Sequence, residues 1–325
     1  MILAGDIGGT KTRLALYEAE DDKFRRHLTA TFVSRDYPGL EQIVKIFLEK
    51  NRAAINKACF GVSGPVINGE AKPTNLPWQL NEKKIAHTVG INAVRLVNDL
   101  VATTAAIPHF STEDVVTLYK GPREGDETMR AVLAPGTGLG QAFLIKNNDS
   151  FKVLASEGGH SDFAPTNELE IDLLRYLQKK FEHVSYERVL CGPGLFNIYN
   201  FLKDSKFAPE PAELAKRFAG KDSAAVISEA GLAGEFAICV KTLDVFVSIM
   251  GAQAGNVALT LLATGGVYLG GGIPPKILPK IIEGATVAAY LSKGRLSEVV
   301  KKTPLYVIRD DHAALLGAAS LAMEV

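Results

Sequence analysis

Cysteine is scarce in this chain of 325 residues. Its three cysteines, Cys59, Cys191 and Cys239, are an odd number with no CxxC spacing, which argues against a disulfide framework and a cysteine-based metal site and fits a reducing cytoplasm. An excess of charge is missing as well. The 36 Lys and Arg residues offset the 36 Asp and Glu residues, leaving no electrostatic footprint for nucleic acid or an anionic membrane. Small molecules or a second copy of the chain are the expected partners. The opening "MILAGDI" lacks a basic region and meets an acid at Asp6, so no secretory leader is expected. A chain of this length is expected to form about two domains.

Charge is also absent from Val245 to Ile273, where Gly251 and Gly255 form a GxxxG, so a membrane span has to be weighed. The run divides better into a buried small-residue helix and, after Thr264, Gly265 and Gly266, a strand "VYL".

No GxxxxGK[ST] occurs, which excludes a P-loop. What is present near the start is "GDIGGTKT", followed by "TRLALYEA", in which Leu14 and Leu16 alternate with Arg13, Ala15 and Tyr17. The loop therefore joins two strands, whereas a dinucleotide fold needs it to open a helix. Gly8 and Gly9 can take the positive φ of a tight turn and bring amides close to an anion, Thr10 adds a hydroxyl, and Asp6 can hold Mg²⁺ through water. An ordinary hairpin turn is the plainer alternative. "AVLAPGTGLGQAFLIKNN" repeats the plan around Gly136, Thr137, Gly138 and Gly140, which suggests a duplicated unit. A third cluster, Gly270, Gly271 and Gly272, precedes Pro274 and Pro275 at an expected first helical turn; it can receive the flat side of a nucleoside or be a simple connection.

"NAVRLVNDLVATTAAIP" reads as a strand, Asn98 and Asp99, and a helix ended by Pro108. Asp99 stands where open α/β sheets put ligands, yet spacing alone favours a helix N-cap. "ASEGGHSDFAP" offers Glu157, His160 and Asp162, which suit a metal one ligand short of a set, hydroxyls of a polyhydroxylated ligand, or a plain surface loop. Glu187 reads as a first-turn helix acid behind a Ser185 cap.

The ordered set "GDIGGT", "TNLPW", "VNDL", "GTGLG", "EGGH", "ERVLCGPGL" and "GGGI" resembles the bacterial glucokinases of the hexokinase and actin-like ATPase superfamily, over nearly the whole chain. The resemblance implies an α/β fold of two RNase H-like domains, mixed sheets flanked by helices with a cleft between them, spanning 1–108 plus 313–325 and 109–312. It implies ATP and Mg²⁺ bound through Asp6, Gly8, Gly9, Thr10, Gly136, Thr137, Gly138 and Gly271, and glucose held by Asn98, Glu157, His160 and Glu187. Asp99 becomes the base for phosphorylation of the 6-hydroxyl, the first step of glycolysis, in a cytoplasmic homodimer. A neighbouring family of sugar kinases and repressors uses the histidine as a ligand in a cysteine-rich zinc motif. That cysteine cluster is missing here, so no zinc is expected, and with a strand beginning at once no DNA-binding segment is expected either. An actin-like or chaperone-type ATPase and a sugar-sensing regulator without turnover are the competing readings.

Overall fold

A computed structural model describes residues 1–21, 23–51, 54–122, 128–148 and 150–325. The chain divides into two compact units, 1–114 with 147–155 and 310–325, and 115–146 with 156–309.

In the first unit, apolar residues alternate with period two along β1 (Ile2–Ile7) and β2 (Lys11–Glu20), giving a sheet with a core on each face. With β3 (Lys23–Val33), β4 (Lys57–Val62) and β8 (Ala93–Asn98) the order is β3-β2-β1-β4-β8. A small side sheet is formed by β5 (Val66–Ile67), β6 (Glu70–Ala71) and β7 (Leu80–Asn81). Leu3, Ile7, Leu14 and Phe60 pack on one face with Phe47 of the helix Leu40–Asn51. Ile2, Ala4 and Cys59 pack on the other with Ala102 and Leu315, from the helices Asp99–Ala105 and Ala313–Ala322. Asp6 shares the second face by alternation. β1, β4 and β8 run parallel in a register that aligns Ile7, Val62 and Asn98, so their carboxyl ends are level.

The second sheet comprises β9 (Val115–Tyr119), β10 (Met129–Pro135), β11 (Leu139–Asn147), β12 (Ser150–Ser156), β13 (Val267–Leu269) and β14 (Leu305–Ile308), in the order β12-β11-β10-β13-β14-β9. β10 is antiparallel to β11 and parallel to β13, as β1 is to β2 and β4, so the expected duplication is present in the topology. The uncharged run forms the larger part of one helix, Ala237–Leu261, whose first turns carry Lys241 and Asp244, and then β13. The helix is long and apolar enough to cross a membrane, but 72% of its most apolar window is buried, against helices of its own unit such as Gly192–Asp204 and Ala285–Leu291.

Three local expectations are corrected. Asn98, not Asp99, caps its helix: Asn98 Oδ1 accepts from the amides of Leu100 and Val101 at 3.0 and 3.4 Å, and Asp99 is the first helical residue. The helix after the third glycine cluster starts at Leu278, with Pro279 in its first turn, while Pro274 and Pro275 lie in the preceding turns. Ser185 precedes only a 3₁₀ turn, Tyr186–Arg188, and its hydroxyl caps nothing.

Candidate functional site

The β1–β2 hairpin ends in a turn closed by the Gly8 amide donating to Lys11 O at 3.0 Å. Ser34 braces it, its hydroxyl donating to Gly8 O at 2.8 Å and lying 3.0 Å from Thr12 Oγ1. The Gly9 and Thr10 amides donate to no acceptor among the described residues, and Thr10 is exposed. Consecutive free amides of this kind form a concavity that favours an anion. The glycines serve close approach here and not positive φ, which neither Gly8 nor Gly9 adopts: a Cβ on Gly9 would lie 2.7 Å from Thr74 O.

Level with this turn stand two carboxylates. Asp6 faces Arg13 across the hairpin at 3.7 Å, and Arg13 also donates to Asp311 O at 2.8 Å. Burial pushes the Asp6 carboxyl up to about 6; Arg13 opposes this, while Asp99 and Asp311 add to it. Burial also raises Asp99, against the pull of the Leu100 amide that its Oδ1 accepts at 2.8 Å. A carboxylate raised in this way is better matched to removing a proton near neutral pH than a solvated one. Asn98 is largely committed to the protein, since its Nδ2 donates to Gly64 O at 3.1 Å in addition to its capping bonds.

In the second unit, the β10–β11 turn is closed by Gly136 N donating to Gly138 O at 2.8 Å, and the Thr137 and Gly138 amides have no acceptor among the described residues. Gly271, at φ +79° where only glycine is at ease, lies against it: a Cβ there would stand 2.5 Å from Pro135 O.

Three of the expected sugar-binding residues converge beside this turn. His160 Nε2 lies 4.0 Å from Glu157 Oε2 and 4.0 Å from Glu187 Oε1, too far for direct hydrogen bonds and suited to a hydroxyl in between. Glu187 is fixed by its other oxygen, which accepts from Leu139 N at 2.8 Å, and a Cβ on Gly138 would meet that oxygen at 2.5 Å. Asp162 is not part of the group; it pairs with His183 at 2.8 Å. Sequence reasoning passed over Arg13 and the Leu139 amide. Arg13 had a signal, because an opposite charge stands at its register position across a short hairpin. The Leu139 contact, 48 residues from Glu187, had none.

The Glucokinase family model matches residues 3–325. The chain is 40% identical to the Glucokinase of Nostoc punctiforme, covering 99% of this chain and 98% of that one. Among solved structures, a glucokinase from an Antarctic psychrotroph is similar with a TM-score of 0.89 at 31% identity, over 100% of this chain and 99% of the other. A ROK family glucokinase from Streptomyces griseus, in complex with glucose and AMPPNP, shares the fold with a TM-score of 0.65 at 21% identity, over 100% and 99% of the two chains.

Proposed function

Because the chain belongs to the glucokinase family, we propose that it transfers the γ-phosphoryl group of ATP to the 6-hydroxyl of D-glucose, releasing glucose 6-phosphate and ADP. The observation that carries this reading is Glu187. One of its oxygens braces the second glycine turn, and the other faces His160 across a gap fit for a hydroxyl. A phosphate-binding turn and a hydroxyl-recognising cluster thus share one carboxylate.

In the proposed reaction Asp99 accepts the proton of the 6-hydroxyl as that oxygen attacks the phosphorus. Glu157 and Glu187 accept hydrogen bonds from sugar hydroxyls, and His160 donates or accepts one. Asn98, whose remaining amide hydrogen is its only uncommitted donor, holds a further hydroxyl while fixing the helix that carries Asp99. The free amides of Gly9, Thr10, Thr137 and Gly138, with the two threonine hydroxyls, stabilise charge on the phosphoryl oxygens, and the backbone around Gly271 borders the nucleoside. Phosphoryl transfer asks mainly for this positioning and charge balance.

The donor set fits magnesium. No group of three His, Cys, Asp or Glu side chains among the described residues is placed to hold an ion, but Mg²⁺ keeps most of its waters and needs only one or two carboxylates besides phosphates. Asp6, half-buried beside Asp99 and Asp311, is the carboxylate that would hold it through water, and the bound ion would neutralise charge on the phosphate oxygens. The Streptomyces griseus protein, with glucose and AMPPNP bound, supports a hexose and a nucleotide as the pair of substrates for this fold. We extend the proposal to a cytoplasmic homodimer on the family resemblance; three free, buried cysteines fit a reducing compartment, and sedimentation tests the dimer.

An assay coupling ADP release to a panel of sugars tests the reading. It requires ADP release that depends on glucose and yields glucose 6-phosphate. Slow ATP hydrolysis indifferent to sugar would favour an actin-like or chaperone-type ATPase, and glucose binding without product a regulator.

A further inference from the structure

Six non-glycine residues among those described adopt a left-handed backbone: Asp21, Asn68, Asn75, Asn148, Lys206 and Leu262. Five have an ordinary place for it. Asp21, Asn68 and Asn148 sit at reversals between neighbouring strands, and Lys206 and Leu262 follow the ends of the helices Gly192–Asp204 and Ala237–Leu261. Asn75, at φ +64°, lies in the turn closed by Leu76 N donating to Pro73 O at 3.3 Å. Glycine would meet that backbone need at no steric cost. Asparagine is usually tolerated there because its side chain can bond nearby backbone, yet the exposed Asn75 side chain makes no hydrogen bond among the described residues.

The turn's position gives the carboxamide a use. Thr74 N and Oγ1 both donate to Ser63 O, at 2.8 and 3.1 Å, tying the turn to the carboxyl end of β4. Thr74 O and Asn75 Cβ cover Gly9, lying 2.7 and 3.3 Å from where a Cβ on Gly9 would stand. The Asn75 side chain therefore roots beside the free amides of the first glycine turn, at the strand ends where Asp99 also stands. We propose that Asn75 is a further substrate-contacting residue, its amide donating to the γ-phosphoryl group at the Gly8–Thr10 turn. This rests on the kinase reading above.

Two substitutions isolate the carboxamide. Asn75→Gly keeps the left-handed backbone and deletes only the side chain, and Asn75→Asp keeps shape and puts a negative charge where the proposal puts phosphate. Glucose-dependent ADP release by the unaltered protein first decides the kinase reading by itself. Asn75→Gly is then expected to lower kcat about 10-fold to 100-fold with KM for glucose unchanged within about twofold. Unchanged kcat, or a rise confined to KM for glucose, overturns the proposal. Calorimetry without sugar gives a readout that does not need turnover: Asn75→Asp is expected to weaken Mg-AMPPNP about 10-fold and leave Mg-ADP within about twofold. Equal weakening of both nucleotides, or of neither, also overturns it.

Discussion

The β1–β2 and β10–β11 hairpins are built to one plan and equipped differently. Each ends in a glycine turn with two free amides and an exposed threonine, and each is followed in its sheet by parallel strands. Two residues before the turn, however, the first hairpin has Asp6 opposite Arg13, whereas the second has Ala134 opposite Gly140. The second turn obtains its carboxylate from elsewhere in the chain, through Glu187 on Leu139 N. The backbone supplies a general anion site twice, and side chains decide which chemistry each copy serves. Charge in the first copy suits a cation and a base; the borrowed carboxylate in the second suits hydroxyls.

The sharpest break in this comparison is Asp99→Asn, which removes the proposed base from the first unit alone. We expect kcat to fall about 10²-fold to 10⁴-fold with little change in glucose binding. Because burial raises Asp99, and the base must be ionised to act, activity of the unaltered enzyme should decline with falling pH before the ordinary carboxylate range is reached. Near-normal turnover by the Asn variant would remove Asp99 from the chemistry.

A smaller effect separates the two glycines of the second turn. Gly138→Ala forces a methyl to within 2.5 Å of the Glu187 carboxylate, which can swing away because it is the end of a side chain. The fold should survive, and KM for glucose should rise about 10-fold, the loss of about one well-placed charged hydrogen bond. At Gly136 the nearest atom to an added Cβ is Gly272 N, 3.9 Å away, so Gly136→Ala should leave KM for glucose unchanged. If Gly138→Ala weakened ATP instead, Glu187 would not be the shared carboxylate.

Much of this was legible in the sequence, for physical reasons. Period-two alternation disclosed both hairpins, and a turn between strands excludes a dinucleotide loop. At Asp99 spacing alone favoured an N-cap, because Asp caps helices well, and only the backbone shows that Asn98 is the residue standing outside the first turn. The glycines were identified as important for a different reason from the one found. Neither Gly9 nor Gly138 needs a positive φ; one lies against Thr74 O and the other against Glu187, and neither neighbour is near it in sequence. The helix after Gly270–Gly272 starts late because Pro274 and Pro275 are tolerated equally in a turn, where they add no helical hydrogen bond.

The smallest expected effect concerns stability and belongs to the first hairpin only. The Asp6 carboxyl ionises at about 6 in the folded chain against an ordinary value of 3.8, so the fold holds its proton more tightly than the unfolded chain does. Ionisation therefore destabilises the fold: the penalty is absent below about pH 4, grows towards pH 6 and is complete above it. Asp6→Asn removes a charge that is costly only at the upper end. Its Tm should exceed that of the unaltered protein by about 2–4 °C at pH 7.5 and match it near pH 4, measured without nucleotide, while kcat falls. A lower Tm at pH 7.5 would mean that the 3.7 Å pairing with Arg13 outweighs burial, and that the first turn's charge is structural, making the two hairpins more alike than their side chains indicate.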